Sequence, residues 1–161
     1  MEIEKHLEKI EDILIKGFRL KNEQSETSNE TEKQPLLSLV EKDDVKYVRL
    51  CVGSYDVVID MRDAEKRMDW DEANAYCKDK GMKLPENDLL MLIYALRKDI
   101  NSFLVENGGE ALMEDEDYWS GTESSRFLAR YVNFSNGLAY SSGKYIGYVV
   151  RPVAEHSSFC A

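Results

Sequence analysis

Apolar residues recur at two different periods along this chain, and the switches between them mark its elements. Ile3, Leu7, Ile10, Leu14 and Gly17 fall at alternating spacings of four and three, with Glu and Lys at most other positions. That is a short heptad seam, and it predicts a helix over residues 1–20. A helix of this length is marginal alone. Its seam needs either the same helix of another copy or a groove on its own domain. Residues 21–34 hold no apolar residue, and Pro35 closes them. Nothing there offsets the entropy of ordering, so 21–35 reads as a flexible linker.

The globular part begins near Leu36 and runs to residue 154, with 155–161 as a tail. Lys46–Val52 and Tyr55–Met61 are rich in β-branched and aromatic residues around Gly53-Ser54, a hairpin signature. Asp69, Trp70 and Glu72 then form a capping box that opens a helix with Trp70, Ala73 and Cys77 on one face and Gly81 at its end. Leu84-Pro85 leads into a second helix starting near Asn87 or Asp88, with Leu89, Leu92, Ile93 and Leu96 as its stripe. Ile100, Phe103 and Leu104 carry on for a turn or two. After the acidic run Glu114–Asp117, strand character returns at Tyr118–Ser120, Phe127–Phe134, Leu138–Tyr140 and Tyr145–Val153. Asn136-Gly137 reads as a two-residue turn. The fold class is α+β, with helices between runs of antiparallel strands.

Charge changes this picture at the C-terminal end. The protein carries 31 Asp and Glu against 21 Lys and Arg, a net charge of −10. That balance argues against nucleic acid and against an anionic membrane surface as partners. From Ser124 to Ala154, however, there is no Asp or Glu, while Arg126, Arg130, Lys144 and Arg151 are present. Of the 18 residues Tyr131–Tyr148, 12 are Tyr, Ser, Gly or Asn. Binding loops use that mixture: Tyr supplies rigid contact area and the small polar residues supply adaptable hydrogen bonds. Arg126, Arg130 and Lys144 read equally as a local positive face for an acidic partner or as solvated side chains. No run approaches the roughly 20 apolar residues of a membrane span. The N-terminal residues lack the pattern of a signal peptide, so a soluble chain made in the cytoplasm is expected, able to travel on a virion or a cell surface.

The chemistry of catalysis is thin. The two histidines, His6 and His156, stand in the N-terminal helix and the tail, away from a Ser/His/Asp or Cys/His constellation. Three cysteines, Cys51, Cys77 and Cys160, are odd in number and widely spaced; Cys51 and Cys77 read as small core residues. His156 and Cys160 alone do not make a zinc site. Glu114–Asp117 lacks the alternating spacing of a calcium loop. No catalytic residue, metal or cofactor is expected. Arg151, before Pro152, reads as a structural ion-pair donor.

Five motifs occur in one order: Trp70-Asp71-Glu72-Ala73 with Cys77, Leu84-Pro85 with Leu89, Tyr118-Trp119-Ser120-Gly121-Thr122, Tyr131-Val132-Asn133-Phe134 with Gly137, and Val150-Arg151-Pro152-Val153. In this order the chain resembles, over residues 46–153, the C-type-lectin-like fold, in particular bacterial and phage domains of the collagen-like-adhesin C-terminal type. It departs from them at Met82-Lys83-Leu84-Pro85-Glu86, where that type usually shows Trp-Arg-Leu-Pro-Thr. The Glu-Pro-Asn and Trp-Asn-Asp tripeptides of calcium-dependent sugar binding are absent, so that site does not carry over. An oxidase of related fold works through paired cysteines near its C-terminus; here Cys160 stands without a second. Some proteins of this fold are variable proteins of diversity-generating retroelements, and residues 131–148 look like such a region.

The resemblance implies a non-enzymatic binder of a protein or carbohydrate ligand, and the seam at residues 3–17, which lies outside the resemblance, suggests that it is presented by a homo-oligomer. The alternative is an assembly subunit that docks through the N-terminal helix. The expected ligand-binding residues are Arg126, Arg130, Asn133, Tyr140, Ser142, Lys144, Tyr145 and Tyr148, with Val132, Phe134 and Val150 pointing inward. If the seam joins copies, sedimentation velocity will show residues 1–161 as a dimer or trimer and 36–161 as a monomer; equal, monomeric masses remove self-association.

Overall fold

The computed structural model describes residues 34–160. The expected helix over 1–20, with its seam at 3–17, and all but the end of the linker lie outside the described residues. The rest is α+β with two antiparallel sheets, as the sequence pattern predicts.

The first sheet contains β1 (Leu37–Lys42), β2 (Val45–Val52), β3 (Tyr55–Asp60) and β7 (Val153–Glu155), in that spatial order. Strands β2 and β3 meet as the expected hairpin, with Val52 opposite Tyr55 and Gly53 at φ +57°. Strand β1 carries no expectation from the sequence. It joins β2 through Asp43 and Asp44, at φ of 53° and 65°. Two central residues with positive φ make a primed hairpin turn, here without the glycine that usually betrays one. Both faces of the sheet are covered. Val48, Leu50, Val57 and Ile59 enter the main core. Tyr47 and Val58 pack with Met82 and Ala154 on the other side.

Helices α1 (Trp70–Asp79), α2 (Asn87–Ala95) and α3 (Arg97–Glu106) lie between the sheets in sequence. The expected cap is present: the Asp69 carboxylate accepts the Glu72 N–H at 2.8 Å. Trp70, Ala73 and Cys77 are the buried face of α1. In α2 the buried residues are Leu89, Leu90 and Ile93, and Leu96 sits at the break into α3.

The second sheet contains β4 (Asp117–Glu123), β5 (Leu128–Asn133) and β6 (Ala139–Gly143), with β5 central. Two indoles tie it to α1 and the loop before it. Trp70 Nε1 donates to the Ser120 carbonyl at 2.9 Å, and Trp119 Nε1 donates to the Met68 carbonyl at 2.8 Å. Val132, Phe134 and Val150 are buried, as expected.

A continuous strand over Tyr145–Val153 does not form. Tyr148 and Val149 make single bridges to Met68 and Tyr118, and strand pairing resumes only at β7. The segment has to leave one sheet for the other, and Pro152 has no N–H to give to a ladder. Beyond β7, α4 (Ser157–Cys160) folds back: the Phe159 ring meets Tyr47 edge-on at 4.7 Å, and Lys42 Nζ lies 4.6 Å from its centroid. Glu155 and the one-turn helix after it therefore belong to the fold, where the sequence suggested a tail.

Arg151 is 1% exposed. Its Nε donates to Asp63 Oδ1 at 2.6 Å, and its two terminal nitrogens donate to the carbonyls of Asp60 and Glu110, each at 2.9 Å. The second Asp63 oxygen accepts the Tyr118 hydroxyl at 2.8 Å, and that hydroxyl accepts the Met113 N–H at 2.8 Å. Burial pushes the Asp63 carboxyl above its ordinary range, and Arg151 opposes the shift. Removing one member of a buried pair costs about 3–5 kcal/mol, because the other charge is left uncompensated. Arg151→Met is therefore expected to lower stability by about that much in urea denaturation. Adding Asp63→Asn should recover part of the loss; a double variant no better than the single one contradicts this account.

Candidate functional site

The register of the second sheet builds a row of aromatics across it. Trp119 stands opposite Tyr131, and Tyr131 opposite Tyr140. Tyr148 comes in from the segment after β6. Its ring stacks on Tyr131 with centroids 4.5 Å apart and meets Trp119 edge-on at 4.7 Å. Tyr140 lies 5.7 Å from Tyr131 on the outer side. The row thus runs from Trp119, fully buried, to Tyr140, 39% exposed. Ser142 Oγ accepts the Tyr148 hydroxyl at 3.0 Å, and Asn136 Nδ2 donates to the Tyr140 oxygen at 3.1 Å.

Asn133 closes the end of this sheet. Its Nδ2 donates to Asp117 Oδ1 at 2.8 Å, and its Oδ1 accepts the N–H groups of Ser135 and Asn136 at 2.8 and 3.2 Å. The connection is longer than the two-residue turn that Asn136-Gly137 predicts. Phe134 leaves the strand to pack in the core beside Tyr118 and Tyr94, so the loop takes in residues 134–138. Gly137 adopts φ +77°, and a Cβ there would meet the Tyr94 ring at 2.2 Å.

Arg126, Lys144 and Tyr145 gather at the other end of β5 and β6. With Asp69, Asp71, Phe127, Leu128 and Gly143 they line a groove of about 530 Å³ beside the N-terminus of α1. Phe127 and Tyr145 are 71% and 83% exposed. The Tyr145 ring lies where a side chain at 143 would be: a Cβ on Gly143 would meet it at 2.3 Å. Lys144 is turned inward. Its Nζ pairs with Glu123 Oε2 at 2.6 Å, donates to the Arg126 carbonyl at 2.9 Å and lies 4.5 Å from the Trp70 ring centroid. Arg126 extends over Phe127, with its Cζ 5.3 Å from that centroid.

Arg130 lies on the opposite face from Tyr131, as strand alternation requires. Its guanidinium reaches Ser141 Oγ at 3.4 Å. Both line a polar groove of about 540 Å³ with Glu86, Asn87, Asp88, Thr122, Glu123 and Ser124. Of the eight residues expected to bind ligand, Tyr140, Ser142 and Tyr148 therefore share the aromatic row, and Asn133 fastens its end. Arg126, Lys144 and Tyr145 share the groove by α1, and Arg130 stands apart from both.

The three cations do not make a positive face. Asp69 and Asp71 enter one groove, and Glu86, Asp88 and Glu123 enter the other. These acids, and the exposed pair Phe127 and Leu128, are the members the sequence reading missed. Phe127-Leu128, following Ser124-Ser125-Arg126, was a visible signal: two apolar residues at a turn. Elsewhere His156 Nδ1 lies 3.4 Å from Asp56, and burial pushes the Cys77 thiol up to about 12. Among the described residues no three His, Cys, Asp or Glu stand together as metal ligands. None of their helices is long and apolar enough to cross a membrane.

No protein-family model and no curated protein matches the chain. Among solved structures, it is similar to TC14, a C-type lectin from the tunicate Polyandrocarpa misakiensis. Identity is 21%, covering 63% of this chain and 98% of that one, with a TM-score of 0.35. An overlay this loose says nothing of ligand, metal or assembly.

Burial, then the neighbouring Tyr148, push the Tyr131 phenol up to about 12 from an ordinary value near 10. The folded state thus keeps a proton that the unfolded chain releases above about pH 10. Stability from this group is complete below pH 10 and is lost as pH rises toward 12. In urea denaturation between pH 9 and 11, wild type should lose stability more steeply than Tyr131→Phe. Parallel curves would show that the row does not hold this proton.

Proposed function

We propose that this chain is a non-enzymatic ligand-binding protein whose working surface is the outer part of the second sheet and its loops. One observation carries the reading. Of the nine large hydrophobic residues that stand exposed among the described residues, five (Phe127, Leu128, Leu138, Tyr140 and Tyr145) fall within 19 positions. They stand at the two ends of the second sheet, Leu138 and Tyr140 by the Asn133 loop and Phe127, Leu128 and Tyr145 at the groove by α1; exposed apolar groups gathered in this way mark interaction sites, and aromatic anchors dominate binding energy where they are found.

The division of labour around them supports the same reading. Lys144, Ser142, Asn133 and Gly137 hold the backbone in place, while Phe127, Tyr140 and Tyr145 project from it. A surface built that way tolerates exchange of its outward side chains without loss of the fold. This suits a retroelement-diversified adhesin on a phage or cell surface that recognises a protein or a carbohydrate. The N-terminal helix and linker would supply avidity by letting several heads engage at once.

Two experiments test this. Labelled protein, applied to arrays of bacterial surface glycans and surface proteins, should bind a specific subset. Phe127→Ser with Tyr145→Ser should lose about tenfold or more in affinity at an unchanged melting temperature; a double variant that binds like wild type refutes the assigned surface. The diversified form of the reading requires, beside the gene, a near-identical second copy of the codons for 126–153 differing mainly at adenines, with a reverse transcriptase nearby. A gene without both is not diversified in this way.

A further inference from the structure

The groove beside α1 combines two groups that have no hydrogen-bonding, ionic or ring partner among the described residues. The first is the Tyr145 ring, 83% exposed, with no hydrogen bond and no stacking or cationic neighbour among the described residues. The second is the Asp71 carboxylate, exposed in the first turn of α1 and likewise without a hydrogen bond or ion pair among the described residues. Asp69 stands beside it on the same wall, one oxygen holding the Glu72 N–H. Phe127 and Leu128 complete the apolar side. An aromatic face and a carboxylate lining one groove form a receptor for a cation with a flat or apolar body. The ring quadrupole and the anion both favour positive charge, and a carboxylate pairs bidentately with a guanidinium.

The same corner already uses this chemistry within the chain. Lys144 lies over Trp70 at 4.5 Å and pairs with Glu123 at 2.6 Å; Arg126 lies over Phe127 at 5.3 Å. With Lys144 neutralised by Glu123, the remaining side-chain charges at the groove are Asp69 and Asp71 against Arg126, a surplus of one negative charge that the positive end of α1 offsets by roughly half. The protein as a whole carries −10, which favours the approach of a cation at long range.

We propose that this groove takes an arginine or lysine side chain from a basic segment of a partner protein, its charge against Asp71 and Asp69 and its stem between Tyr145 and Phe127. The inference rests on the reading that this end of the sheet binds a ligand, and it reverses the charge that the sequence suggested for that ligand. Arg126 then acts as a competitor at the rim, so its removal strengthens binding.

The test uses the full chain and two capped tripeptides, acetyl-Gly-Arg-Gly-amide and acetyl-Gly-Glu-Gly-amide, followed by amide chemical shifts. The arginine peptide should produce saturable shifts at Asp71, Phe127, Leu128 and Tyr145, weakened by salt. Asp71→Asn should lower its affinity about threefold and Arg126→Ala should raise it, the size expected of exposed charge pairs. Tyr145→Ala should abolish the saturable response while the remaining spectrum is kept. Preferential binding of the glutamate peptide overturns the proposal. So do shifts scattered over the acidic surface and indifferent to Asp71→Asn. Shifts at the groove that grow with protein concentration alone would identify a second copy as the occupant, and equally overturn it. If the arginine peptide is silent while the Phe127 and Tyr145 double variant still loses surface binding, the cation site falls and the binding surface stands. If that double variant keeps surface binding, both fall.

Discussion

Arg151 reaches four stretches of chain from one planar group. Its own backbone leads into β7, Asp60 ends β3, Asp63 opens the loop toward α1, and Glu110 lies in the loop ahead of β4. Tyr118, on β4, closes the circuit through the other Asp63 oxygen. A buried guanidinium must have its donors satisfied and its charge compensated, and these stretches together do both. The contacts tie the end of β3 and the approach to β7 to the loops ahead of α1 and β4. The indoles of Trp70 and Trp119 then fix the second sheet from the α1 side, each through a single backbone carbonyl.

The second sheet consequently has one end that is fastened and another that is dressed. At the Asn133 end, side-chain amides hold the turn. At the Lys144 end, the ammonium is drawn inward to a carboxylate, a carbonyl and an indole ring. Polar side chains that look adhesive in a sequence are here engaged in keeping loops in shape. What is left facing outward is mostly aromatic and aliphatic, framed by carboxylates from α1, from α2 and from β4.

The legible parts of the fold were those whose chemistry is local. Asp69 caps a helix by bonding three residues on, and Gly53-Ser54 turns a hairpin between adjacent strands, so neighbours in sequence suffice to read them. Asp43-Asp44 turns a hairpin equally well, but two aspartates do not announce positive φ, and β1 went unread. The site was harder. Tyr140, Tyr145 and Tyr148 were all expected to meet ligand; the first two stand exposed, while Tyr148 is half-buried, stacked on Tyr131. The apparent basic face failed for a reason of distance: Lys144 meets Glu123 from 21 positions away, and Arg130 shares its groove with Glu86 and Asp88 from another element. A stretch without acids became a surface with them, because a surface is assembled from several stretches.

Gly143 offers a consequence of its own. The most exposed aromatic of the domain leans on a residue whose lack of a side chain makes the space for it. A side chain at 143 would collide with that ring, so the position the ring occupies is open only while 143 is glycine. Substituting the smallest residue in β6 would thus displace the most exposed aromatic among the described residues.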